Sequence, residues 1–278
     1  MVEKNKLEHT VPPALFAIIG GSGTFSIDFP EDLNFGQTRL LSAGMVFDTP
    51  YGVSPPFKLF TLGDKSVLTT KMHGWRPGVS RADASKQVFW VLREAGVRKI
   101  IAEGGVGSIN RLLRPSDLII PTDYIDCSMR KDVSLDSPYL LIMRQPVCPE
   151  LRKSLAEAAG KGSGGRLFDR GVYAVTDGRH FESVAEVEML NRLGADIVGQ
   201  SMCPEVYLAR EIDACYGRID LVVNYAEGIV KEWDYEELKG MFFSEPQRIG
   251  AILLETINNI TAEKTCDCSQ LRKPTLLK

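Results

Sequence analysis

Ile18-Ile19-Gly20-Gly21-Ser22-Gly23-Thr24 reads as a buried strand that runs into a glycine turn holding one hydroxyl. Paired isoleucines favour extended backbone, and the glycines allow a tight turn and a close main-chain approach that a side chain would block. Such a strand end offers N–H groups and the Ser22 hydroxyl to an anion. The spacing fits neither the dinucleotide fingerprint nor a phosphate loop ending in Gly-Lys-Ser/Thr. Taken alone, the segment predicts a strand and a turn, with an anion site and a simple tight turn both open.

The same pattern recurs along the chain. Short apolar or β-branched runs at 14–20, 66–70, 99–103, 117–121, 171–175, 197–199 and 219–224 alternate with segments of helical spacing at 84–95, 150–159, 183–193, 205–212 and 246–260. This alternation predicts an α/β fold, a sheet covered by helices on both sides. Nothing repeats at a fixed period, and the Gly/Ser-rich patch at 161–165 reads as a loop. The expected organisation is an N-terminal extension (1–13), one domain (14–260) and a tail with a Cys-x-Cys pair (261–278), the tail ordered against a partner subunit.

Bulk properties narrow the function. The 278 residues are 44% apolar and 25% charged, enough for a packed core. A formal charge of −3 without a basic block lacks the footprint that nucleic acid requires. No apolar run approaches the ~20 residues that cross a bilayer, and the charged start lacks a signal-peptide core, so a cytoplasmic enzyme away from membranes is expected. Six cysteines are too few for a disulfide scaffold, and with three histidines no zinc set assembles from spacing, so no metal is expected.

Other strand ends carry chemistry too. In Thr70-Lys71-Met72-His73, period-two alternation puts Lys71 and His73 on one face, able to meet one anion. Ala102-Glu103-Gly104-Gly105-Val106-Gly107-Ser108 reads as a strand followed by glycines that leave room for an anion or a flat base, with a simple glycine-rich turn also open. Phe181-Glu182-Ser183 and Gly199-Gln200-Ser201 each join a strand to a helix, where N–H groups point outward; Glu182 and Ser183 also suit helix capping. Asn224, ending an apolar strand, is costly to bury without partners, so it is a turn former or a ligand contact.

Taken in order, these segments resemble the purine nucleoside phosphorylase and methylthioadenosine phosphorylase family, most closely its methylthioinosine-type bacterial members, over about 14–260. The resemblance implies a single-domain fold with a mixed, distorted, barrel-like sheet ringed by helices, assembled as a homotrimer or dimer of trimers. Its substrates would be a purine nucleoside and inorganic phosphate as co-substrate, with no other cofactor. Ser22, His73, Gly105 and Ser201 match the phosphate site, with Lys71 as its cation. Phe181 resembles the aromatic on the base, Glu182 the carboxylate at its pyrimidine edge and Asn224 the side chain at N7 and O6; Gln200 stands where a methionine usually meets the ribose. Asn224, His73 and Ser201 would carry the catalysis. As the glycosidic bond lengthens, the sugar becomes cationic and the base anionic, so donors to the base and an anion beneath the sugar lower the barrier.

Several positions depart from the resemblance. Met72 replaces an arginine, and Lys71 supplies charge without the guanidinium fork. Gly178-Arg179-His180 replaces Gly-Pro-Arg, and the apolar 140–143 suits a 5′-methylthio or deoxy sugar. Asn224 in place of aspartate favours a 6-oxopurine. Two other readings stay open: a hydrolase with water replacing phosphate, and a silent nucleoside-binding paralogue. The resemblance also implies a disulfide between Cys148 and Cys215 and another at Cys266-x-Cys268, against free thiols.

Overall fold

The computed structural model describes residues 6–8, 10–72, 76–161 and 165–276. In its first part, β1 (Lys6–Glu8), β2 (Phe16–Gly20), β3 (Thr38–Thr49), β4 (Gly52–Val53), β5 (Phe57–Leu62) and β6 (Lys65–Lys71) follow without a helix. Next come α1 (Arg81–Glu94), β7 (Lys99–Ser108), β8 (Leu118–Ile119), β9 (Asp123–Asp126), β10 (Tyr139–Leu141) and α2 (Pro149–Lys161). Then follow β11 (Leu167–Phe168), β12 (Val172–Val175), α3 (Val184–Arg192), β13 (Ile197–Gly199), α4 (Met202–Glu211) and β14 (Cys215–Tyr225). The chain closes with α5 (Tyr235–Ser244), α6 (Pro246–Asn259), a 3₁₀ turn at Cys268–Leu271 and β15 (Arg272–Pro274).

β2 is buried at all five positions because it lies between parallel neighbours, β6 and β7, with helices on both faces. Its paired isoleucines point to opposite sides. Ile19 packs with Val88 and Phe89 of α1 and Val206 of α4, whereas Ile18 packs with Leu151 of α2 and Ile249 and Leu253 of α6. The result is one mixed sheet, ordered β1-β3-β5-β6-β2-β7-β13-β12-β9, with β14 beside β7 and β8.

The partner switch along β7 makes the site. Lys99 to Ala102 pair with β2, while Gly107 and Ser108 pair antiparallel with β13. Between them, residues 103–106 have no strand on that edge, and the cleft opens there, as expected where a sheet changes neighbours. On the other edge β14 runs parallel to β7 along its length, with a register break between Val222 and Asn224. That bulge re-aims the end of β14.

Three sequence expectations change. The glycines after Glu103 are not a turn, because β7 continues through them to Ser108. β14 starts at Cys215 rather than 219, with Arg218 and Asp220 inside it. The tail does not depend on a partner for order: Cys268 and Leu271 are buried in their own chain, and β15 pairs with β10. Among the described residues no helix is long and apolar enough to cross a membrane.

Candidate active site

At the open edge of β7 lies a cavity of about 360 Å³, within the range of small-molecule sites. Ser22, Gly105, Phe181, Glu182, Gln200, Ser201 and Asn224 all line it, brought together from five separate segments. His73 lies outside the described residues.

The glycine loop is built around a carboxylate. Gly23 N and Thr24 N donate to the two Glu103 oxygens at 2.8 and 3.1 Å, Thr24 Oγ1 donates at 2.7 Å, and Gly21 N makes a further short bond. Glycine at 21 is required by proximity, because a Cβ there would overlap the Glu103 carbonyl. These N–H groups therefore hold the loop onto β7. Ser22 is left between them, against Gly105, where a Cβ would come within 3.4 Å of its Oγ.

Ser201 is held from beneath. Arg218, fully buried in β14, donates from Nη2 to Ser201 Oγ at 2.8 Å, so the hydroxyl hydrogen is what Ser201 can offer onward. Asp220 grips the same guanidinium through Nε at 2.9 Å and Nη2 at 2.7 Å; Glu205 stands 3.4 Å from Nη1 and accepts from Tyr216 Oη at 2.8 Å. Burial pushes the Glu205 carboxyl up and the Asp220 carboxyl up to about 6, both against the pull of Arg218. Gly104 is what admits the guanidinium: a Cβ there would overlap Arg218 Nη2 and sit 3.0 Å from Asp220 Oδ1. Gly104→Ala is expected to cost about 1–3 kcal/mol by overpacking. Urea unfolding at fixed protein concentration checks this, and a loss under about 0.5 kcal/mol, the range of ordinary surface changes, would contradict it.

Lys71, the cation expected from the resemblance, sits apart from the cavity lining. Its ammonium donates to the Phe25 and Ile27 carbonyls at 3.0 and 2.7 Å, bracing the outer side of the glycine loop. The pairing of Gly20 with Lys71 sets that face, and Met72 points to the cavity instead. Among the described residues the cationic side chain that lines the cavity is Arg81, the first residue of α1. It donates to Gln200 O at 2.6 Å and to Gln200 Oε1 and Asp177 O at 3.2 Å. Burial and neighbouring Arg130 pull its guanidinium down to about 10, so it remains charged at neutral pH.

The remaining groups gather around the strand ends. Glu182 is buried and accepts from Thr176 Oγ1 at 2.5 Å, while Ser183 caps α3 in a reciprocal box with Glu186, which separates the two roles that sequence left open. Phe181 is half exposed and meets Trp233, which does not itself line the cavity, edge-on at 5.2 Å. Gln200 ties Arg81 to the 177–182 loop by donating to His180 O at 3.2 Å. Asn224, turned by the bulge, donates one amide hydrogen to Tyr225 O at 2.7 Å, leaving its second hydrogen and Oδ1 for another partner.

Residues 16–258 match the family model of the Phosphorylase superfamily. The chain is 32% identical to a 6-oxopurine nucleoside phosphorylase of Pyrococcus furiosus over 269 residues, 92% of this chain and 97% of that protein. It is 32% identical to a probable S-methyl-5′-thioinosine phosphorylase of Methanothermobacter thermautotrophicus over 91% of this chain and 87% of that one. In fold it is similar to a methylthioadenosine phosphorylase from an antarctic soil metagenomic library, with a TM-score of 0.80 at 24% identity over 93% of this chain and 91% of that one. With a matching family model across most of its length and relatives of this identity over nine-tenths of it, the chain belongs to the phosphorylase superfamily.

Proposed function

We propose that the protein cleaves the N-glycosidic bond of a purine nucleoside by phosphorolysis, releasing the free base and a sugar 1-phosphate. The observation that carries this reading is one cavity lined both by Ser22, Gly105 and Ser201 and by Phe181, Glu182 and Asn224. Phosphate would be nucleophile and counter-charge, met by the hydroxyls of Ser22 and Ser201, the main chain at Gly105, Arg81 and, by family resemblance, His73. Lys71 acts indirectly, by bracing the glycine loop. The base would stack at Phe181, which Trp233 supports edge-on, with Glu182 on its pyrimidine edge and the Asn224 amide at N7 and O6. Gln200 would face the ribose. Asn224 can donate as the purine collects charge, and its relatives' names point the same way, so a 6-oxopurine nucleoside or its 5′-methylthio form is the proposed substrate.

No protein nucleophile and no cofactor beyond inorganic phosphate enter this chemistry. The setting we propose is purine salvage in the cytoplasm, in a homotrimer or dimer of trimers.

Base release from inosine, guanosine, methylthioinosine, adenosine and methylthioadenosine, each with phosphate, arsenate or neither, tests the proposal. The 6-oxopurine nucleosides are expected to be cleaved only when an oxyanion is present, with sugar 1-phosphate formed in step with base. Equal rates without phosphate would establish hydrolysis instead. Cleavage confined to the adenine nucleosides would overturn the base assignment.

A further inference from the structure

On the far side of the fold from this chemistry, four sulfur atoms meet that lie far apart in sequence. Cys148 precedes α2, Cys215 opens β14, and Cys266 and Cys268 belong to the tail. Their four Sγ atoms all lie within 4.8 Å of one another, with Cys266 at 3.6 Å from Cys148 and 3.4 Å from Cys215. Cys148, Cys215 and Cys268 are buried and Cys266 is half-buried. None lines the cavity described above.

The spacing suits a shared cation. In a tetrahedral centre with metal–sulfur bonds of ~2.3 Å, the sulfurs stand roughly 3.8 Å apart, close to the separations seen. All six cysteines of the chain are free thiols in the structure. The set is closed, with four sulfur donors and no position left for water or substrate, which is the arrangement of a structural rather than a catalytic site. Its softness selects zinc over magnesium or calcium. The surroundings agree. The Leu151 amide faces the Cys148 sulfur, and the buried Arg210 guanidinium donates to the Cys268 and Gln145 carbonyls at 2.8 and 2.6 Å, placing a positive charge beside a centre that would carry net negative charge.

We propose that Cys148, Cys215, Cys266 and Cys268 form a structural tetrathiolate zinc site that fastens the tail to the core. One Zn²⁺ is bound by four thiolates, with up to four thiol protons released to solvent and no change of oxidation state. The ion bridges α2, β14 and the tail, anchoring the segment that leads into β15. The cysteine reading from sequence expected no metal because it counted histidines; the fold assembles a set that needs none.

The test uses the full chain, expressed with added zinc and purified without air or chelator. Elemental analysis is expected to find about one zinc per chain, and thiol titration in denaturant with chelator to find all six cysteines reduced. Reduced metal-free protein titrated with Co²⁺ is expected to develop the sulfur-to-cobalt charge transfer and visible bands of a tetrahedral tetrathiolate, saturating at one equivalent. Those bands are expected to vanish in Cys266→Ser/Cys268→Ser and persist in Cys127→Ser. Chelation is expected to lower the melting midpoint of the parent and not that of the double variant. Six free thiols with neither zinc nor a cobalt spectrum would overturn the site. Disulfides found in anaerobically purified protein, with two to four thiols missing, would overturn it in favour of the pairing that the family resemblance implies.

Discussion

Asn224→Ala lowers kcat/KM for 6-oxopurine nucleosides by about 10²–10³, with the loss in kcat and little change in the KM for phosphate. The expectation follows from where the bulge in β14 leaves the side chain. Val223 and Asn224 both line the cavity although they are consecutive, which a regular strand would forbid. The amide is fixed by its bond to the Tyr225 carbonyl, so its remaining hydrogen is already oriented. A fixed donor matters most when charge develops: the neutral ground-state purine gains little from it, while the departing base gains much. Steady-state rates with varied nucleoside and varied phosphate separate these effects. A loss below tenfold, or one confined to the phosphate KM, would remove Asn224 from the leaving-group role.

The sequence exposed the side chains that end strands. Ser22, Ser201 and Asn224 stand where an apolar run gives way to small or polar residues, and the cavity of an α/β sheet lies at such ends. Arg81 escaped because an arginine after Ser80 at the start of a helix looks like an ordinary surface charge; only the return of the 177–201 segments makes it part of the site. Lys71 misled for a related reason. Period two correctly places alternate residues on one face, but the register with β2 decides which face meets the cleft, and sequence does not contain that register. Glu103 read as the last residue of a strand because its partners, the amides of Gly21, Gly23 and Thr24, are about eighty positions away. The thiols of Cys148 and Cys266, 118 residues apart, read as members of two separate pairs for the same reason, and only the fold joins them.

Arg218→Met destabilises the fold by about 3–5 kcal/mol, because it strands Asp220 and Glu205 as buried acids without their cation. Sequence analysis began the strand at Ile219, one residue after Arg218, where the apolar run starts. Here the arginine and Asp220 are both fully buried, two positions apart on one strand and therefore on the same face, where they satisfy one another. Removing the stranded aspartate as well, Arg218→Met/Asp220→Leu, is expected to restore the share of the lost stability owed to Asp220, while Glu205 keeps the Tyr216 hydroxyl as its donor, since a buried pair contributes little beyond apolar packing while a broken pair costs much. The double-mutant cycle from urea unfolding measures that coupling. Activity is expected not to follow. Ser201 loses its Arg218 donor in both variants, so the phosphate KM remains raised in the double variant even where the fold has recovered. A double variant with restored stability and parental phosphate KM would make Arg218 a packing element alone; a raised KM surviving the rescue makes it the residue that positions Ser201 for the anion.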